Sequence, residues 1–147
     1  MKQLKNKYQL FINGQWQDAS DNTTLKTYNP ANRELLAEIA DATKEDVHQA
    51  VQAAREAFKT WKKTSVYERA ALLNKIADRI EENAEWLARV ETMENGKPIR
   101  ETQSVDIPLA VEHFRYFAGV IIADEGQANV LQGKFLSIVL RDPIGVV

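Results

Sequence analysis

The sequence predicts an α/β fold, with strands towards both ends of the chain and a helical stretch between them. Three observations carry this. From Tyr8 to Ala40, runs rich in apolar residues are separated by the turn pairs Asn13-Gly14 and Asn29-Pro30. From Thr43 to about Ala123, apolar residues recur at spacings of three and four behind clear capping signals. Beyond Asp124 the alternation returns to every second residue around Gly133. A period of two marks a strand with one covered face, and a period of about 3.6 marks a helix with one covered face.

In "YQLFINGQWQDA" the pair Asn13-Gly14 supplies the positive φ angles of a type I′ turn between apolar and aromatic flanks, so a hairpin is expected. An extended run then leads through Tyr28 into a turn at Asn29-Pro30-Ala31-Asn32, and a second strand runs from Leu35 to Ala40. Pro30 fixes its own φ and pushes Asn29 towards an extended conformation.

Thr43 can cap the first helix, with Asp46 in a looser capping box, and Val47, Ala50, Val51, Ala54, Phe58 and Trp61 form its expected buried face. Ser65 and Glu68 make a full capping box for a second helix with the stripe Leu72, Leu73, Ile76, Ala77 and Ile80. Asn83 can cap a third helix that buries Leu87 and Val90. Gly96 fits the left-handed position that closes this helix, and Pro98 cannot continue the same ladder. A fourth helical segment begins near Pro98, and Pro108 predicts a kink or restart at "DIP", with Leu109, Phe114, Phe117 and Ile121 pointing inward. In "NVLQGKFLSIVLRDP", Leu136, Ile138 and Leu140 alternate with Ser137, Val139 and Arg141. This reads as a second hairpin, and two strands alone need a further partner.

At 147 residues the chain can form one domain burying about two thirds of its unfolded surface. A net charge of -2 gives no basic excess for nucleic acid. No apolar run approaches the roughly 18 residues that span a bilayer, and the polar start "MKQLKNKYQ" lacks a signal-peptide core, so no membrane partner and a cytoplasmic location are expected. The absence of cysteine excludes disulfides, thiolate metal sites and a thiol nucleophile within the chain. His48 and His113 stand alone, without ligands at metal spacing, and Glu81, Glu82, Glu85 and Glu91 read as solvated helix faces. The six glycines form no nucleotide-binding loop.

"FINGQW", "YNPANRE", "DVHQAVQAAREAFKTW", "ERAALLNKIADRIEENAEWLARVETMENGKPIRET" and "DIPLAVEHFRYFAG", in this order and spacing, resemble the N-terminal part of NAD(P)-dependent aldehyde dehydrogenases. The wording "NGKPIRET" with "DIPLAVEHFRYFAG" is similar to the bacterial branch acting on acetaldehyde and other short aliphatic aldehydes. The resemblance implies the N-terminal part of that fold: residues 1–124 from the cofactor-binding domain, an oligomerisation hairpin at 125–143, and the start of a sheet strand at 144–147, with the parallel cofactor sheet largely missing. It implies a parent enzyme that oxidises an aldehyde to the carboxylic acid with NAD or NADP through a thiohemiacetal.

The family's cysteine, glutamate base, oxyanion asparagine and cofactor loop all lie beyond Val147. The resemblance therefore places no catalytic and no cofactor-binding residue in this chain, which is expected to be a truncated segment, inactive alone and binding no cofactor. By matching position, Thr27, Tyr28 and Glu94 fall at a monovalent-cation site, and Leu109, His113 and Phe114 at the substrate entrance. Phe135, Leu136, Ile138 and Leu140 fall on the arm that pairs subunits into a homo-oligomer. A second reading makes the chain a non-catalytic oligomerisation or interaction module.

Overall fold

The computed structural model describes residues 3–147; Met1 and Lys2, the start of the polar N-terminus, lie outside the described residues. Strands β2 (Leu10–Ile12) and β3 (Gln15–Gln17) form the first hairpin, with Asn13 at φ 52° and Gly14 at φ 76°. Phe11 and Trp16 face each other across it, ring centroids 4.8 Å apart. Strands β4 (Thr24–Tyr28) and β5 (Leu35–Ala40) pair antiparallel on either side of the Asn29-Pro30 turn, as expected. The Asn29 side-chain oxygen accepts from the Ala31 amide at 2.9 Å and fixes that turn. A short strand β1 (Lys7–Tyr8), absent from the sequence reading, pairs parallel to β5 and makes the sheet order β1-β5-β4.

Helix α1 (Lys44–Trp61) opens on a complete capping box, in which Thr43 and Asp46 serve each other's backbone. Its expected buried face is only partly covered: Ala50, Val51, Ala54 and Phe58 are half-buried, whereas Val47 is 54% and Trp61 46% exposed. The physical reason is that α1 meets little besides β2. Helix α2 (Val66–Glu82) opens on the Ser65 and Glu68 box. Helix α3 (Ala84–Asn95) corrects the expectation for Asn83, whose side chain makes no cap for α3 and donates to the Arg79 carbonyl at 2.7 Å, closing α2.

Gly96 ends α3 in the left-handed conformation, φ 79°. After it come a single turn α4 (Ile99–Glu101), a π-helical segment at Thr102–Asp106, and helix α5 (Ile107–Ala123). Pro108 thus follows a widened turn. The π segment is the predicted irregularity, and it absorbs the missing proline donor without breaking the helix.

The core lies where α2 packs along α5, the most extensive packing between any two elements. Ala70 and Ala77 on α2 are buried, as are Ile107, Val111 and Ala118 on α5, and Ala88 on α3 adds a third contribution. Alanines let the helix axes approach closely, and Arg115 fastens the pair from outside through Asp78 at 3.0 Å and Glu81 at 2.6 Å. Two residues expected to point inward do not: Leu109 is 46% and Phe117 53% exposed, because the buried stripe of α5 runs through Ile107, Val111, Phe114, Ala118 and Ile121 instead.

Strands β6 (Gln127–Leu131) and β7 (Phe135–Val139) form the second hairpin around Gln132 and Gly133, both at positive φ. Its packing is almost wholly internal, and every strand residue but Ser137 is exposed. At its root, Arg141 pairs with Asp124 at 3.1 Å, and a Cβ added to Gly126 would stand 2.7 Å from the Val139 carbonyl oxygen. Residues 140–147 carry no regular secondary structure; a strand there needs neighbouring strands that the described residues do not supply.

Candidate functional site

Three places gather the residues singled out in the sequence. The first is the junction where the Asn29-Pro30 turn meets the end of α3. A Cβ on Gly96 would stand 2.9 Å from Pro30 Cγ, so these two segments, distant in sequence, are in close contact. Beside the junction, between the sheet and α3, lies a cavity of about 370 Å³ lined mainly by Leu4, Leu36, Ile39, Trp86, Leu87 and Val90, with Tyr8 at its rim. Thr27 and Glu94 open onto it, whereas Tyr28 is exposed and not among its walls. A hard cation needs a shell of oxygen ligands, and this apolar wall offers it few side-chain oxygens. Among the described residues, no group of three or more His, Cys, Asp or Glu side chains could hold a metal ion.

The second place is the outer face of α5. Leu109, Glu112, His113, Tyr116 and Phe117 line one shallow depression of about 440 Å³, while Phe114 faces the opposite way, half-buried. Spacings of three and four residues put all five on one helical face. His113 holds its Nδ1 2.8 Å from the Leu109 carbonyl. A carbonyl can only accept, so Nδ1 carries the proton and Nε2 turns outward as the other ring nitrogen. Glu112 and Tyr116 were missed in the sequence and Phe117 was expected to point inward, although their spacing from Leu109 and His113 would have placed all three there.

The direction in which this face points depends on the segment before it. Thr102 in the π segment is fully buried; its hydroxyl donates to the Ile99 carbonyl at 3.1 Å and stands 3.0 Å from the Thr92 hydroxyl on α3. Lys97, just past Gly96, is paired with Asp106 at the other end of the segment. That hydrogen bond raises the Lys97 pKa above its ordinary value. The end of α3 and the start of α5 are therefore tied together on both sides of the π turn.

The third place is the β6–β7 hairpin. Val130, Phe135, Leu136 and Ile138 are each between 58% and 69% exposed, and Leu140, just beyond the strand, is 77% exposed. This amounts to an apolar patch on a ribbon that protrudes from the helices.

Among the described residues, no glycine-rich loop precedes a helix in a way that would cradle a dinucleotide phosphate. No helix among the described residues is long and apolar enough to cross a membrane.

The aldehyde dehydrogenase family profile matches residues 16–147. The chain is 44% identical over 144 residues to aldehyde dehydrogenase B of Escherichia coli K12, an alignment covering 98% of this chain and 28% of that protein. An aldehyde dehydrogenase from Bacillus cereus, solved as an NAD+ complex, superposes with a TM-score of 0.85 at 40% identity, over 90% of this chain and 28% of that one. AldA, an indole-3-acetaldehyde dehydrogenase of P. syringae solved with NAD+ and IAA, gives a TM-score of 0.90 at 31% identity, over 97% of this chain and 29% of that one. The chain thus spans about 28% of the length of the curated relatives it matches. By sequence along nearly its whole length and by fold, the chain belongs to the aldehyde dehydrogenase family and has the architecture of the N-terminal part of its members.

Proposed function

We propose that this chain supplies the N-terminal part of an aldehyde dehydrogenase that oxidises acetaldehyde or another short aliphatic aldehyde to its carboxylic acid with NAD(P)+, through a thiohemiacetal. The observation that carries this reading is the family match over residues 16–147 together with near-complete superposition on an NAD+ complex of the family. In it, the α5 face of Leu109, His113, Tyr116 and Phe117 forms one wall of the aldehyde's approach. The chain contains no cysteine, so a thiol nucleophile must come from residues outside these 147, and the chain by itself is inactive. The hairpin joins it to a second subunit, and the assembly works in the cytoplasm.

A chimaera tests the proposal. This chain replaces the corresponding first part of aldehyde dehydrogenase B, and NADH formation from acetaldehyde is followed beside the isolated chain. The expected result is dehydrogenase activity in the chimaera and none in the chain alone. A chimaera that folds and assembles but leaves acetaldehyde untouched would overturn it.

A second reading, a non-catalytic interaction module, is favoured by one observation, the exposure of both faces of the β6–β7 hairpin. Sedimentation of the isolated chain discriminates. The module predicts self-association that is lost in Leu136→Lys, Ile138→Lys, whereas a strictly monomeric wild-type chain without affinity for a full-length relative removes its support.

A further inference from the structure

The dipeptide Asn-Gly occurs twice, at Asn13-Gly14 and Asn95-Gly96, in exposed positions of opposite design. We propose that Asn13 is a site of spontaneous covalent modification, converting to aspartate and isoaspartate, and that the fold protects Asn95 from the same reaction.

In this reaction the Gly14 backbone nitrogen loses its proton and attacks Cγ of Asn13. The Cγ–N bond to Gly14 forms, the Cγ–Nδ2 bond breaks, and Nδ2 departs with a proton as ammonia. Water then opens the resulting succinimide at either of its two carbonyl carbons. One opening restores the normal backbone as aspartate; the other leaves the chain running through the side chain as isoaspartate. Nothing is oxidised or reduced, and water is the only co-reactant.

Three observations favour Asn13. Gly14 brings no Cβ to hinder its nitrogen, and nothing lies within 4 Å of where a Cβ would stand. Neither the Gly14 amide nor the Asn13 side chain has a hydrogen-bond partner among the described residues. The turn joins β2 and β3, strands of three residues paired with no further strand. Such a ribbon opens at small cost.

At Asn95 the following residue is again glycine, but its surroundings are the opposite. The Gly96 amide donates to the Thr92 carbonyl at 3.0 Å, occupying the attacking nitrogen. The Asn95 side-chain oxygen accepts from the Lys97 amide at 2.7 Å, holding Cγ away from Gly96. Pro30 closes the space beside Gly96. To react, this site must break two hydrogen bonds and part the junction between α3 and the Asn29-Pro30 turn.

The test follows the full chain through incubation at mildly alkaline pH, with tryptic peptides 8–26 and 90–100 read by fragmentation mass spectrometry for amide-to-acid exchange and for isoaspartate. In the native protein Asn13 converts about tenfold faster than Asn95 or more, the ratio produced by a barrier difference of about 1.36 kcal/mol. In denaturant the two rates converge, because the dipeptide is the same, and Asn13→Gln abolishes the exchange at position 13. Equal native rates, a faster Asn95, or a ratio unchanged by denaturant would each overturn the proposal.

Discussion

Gly96 answers two separate demands, a backbone at φ 79° and a neighbour, Pro30, with no room for a methyl group. Gly96→Ala is expected to cost about 1–2 kcal/mol from the left-handed backbone alone, and more from the displaced proline. Urea midpoints of Gly96→Ala with and without Pro30→Ala separate the two demands, since removing the ring relieves the crowding and leaves the strain. Asp46 is a different case. It is 1% exposed, and it accepts hydrogen bonds from the Thr43 amide and hydroxyl, each at 2.9 Å, and from the Ser20 amide. These bonds, that of the Thr43 amide foremost, favour the carboxylate and draw its pKa below the ordinary aspartate value. The folded chain therefore holds this proton less tightly than the unfolded chain does. The stability Asp46 contributes is complete above the ordinary carboxylate range and is lost as the pH falls through the depressed folded value. Asp46→Asn should be less stable at neutral pH and show a flatter loss on acidification, read from denaturation midpoints across that range. Ser20, the partner that ties a loop to this helix end, carries no signal in the sequence, because a carboxylate that caps its own helix does not disclose a second duty 26 residues away.

Among the elements, those specified by their own neighbours were legible. The turns at Asn13-Gly14 and around Gly133, the β4–β5 pair, the Ser65 and Glu68 box and the Gly96 stop each rest on interactions within a few residues. Ser65→Ala should destabilise the chain by about 1 kcal/mol through loss of the cap on α2, and the thermal transition midpoint reports it. Elements that depend on distant partners were not legible. Strand β1 is two residues long and exists only because β5 lies beside it. The outward turn of Leu109 and Phe117 depends on the π segment and on α2, which selects Val111 and Ala118 for burial. Asn83 has the composition of a cap for the helix after it, yet it closes the helix before it, a choice that both helices together impose. The candidate site shares this division: His113 and Leu109 were placed by motif, while Tyr116 and Glu112 joined them only once the buried stripe of α5 was known.

Across the whole molecule, support is distributed unevenly. Among the described residues, the α2–α5 pair holds five of the nine buried apolar ones, α1 keeps an apolar edge open at Val47 and Trp61, and β6–β7 projects on its own. Hydrogen exchange should follow this order, slowest for amides in the α2–α5 interface and fastest, among strands and helices, for those of β6 and β7; equal protection in the hairpin and the interface would contradict it. The hairpin's isolation also gives the chain two thermodynamic characters in one sequence. The order of the helical core is set by the chain's own contacts and is indifferent to dilution. On the proposed role of the hairpin, the order of the ribbon obeys mass action: a second subunit over Phe135 and Leu136 stabilises it by an amount that grows with the logarithm of its concentration. On that role, molecules diluted far enough would keep their helices and lose their arm.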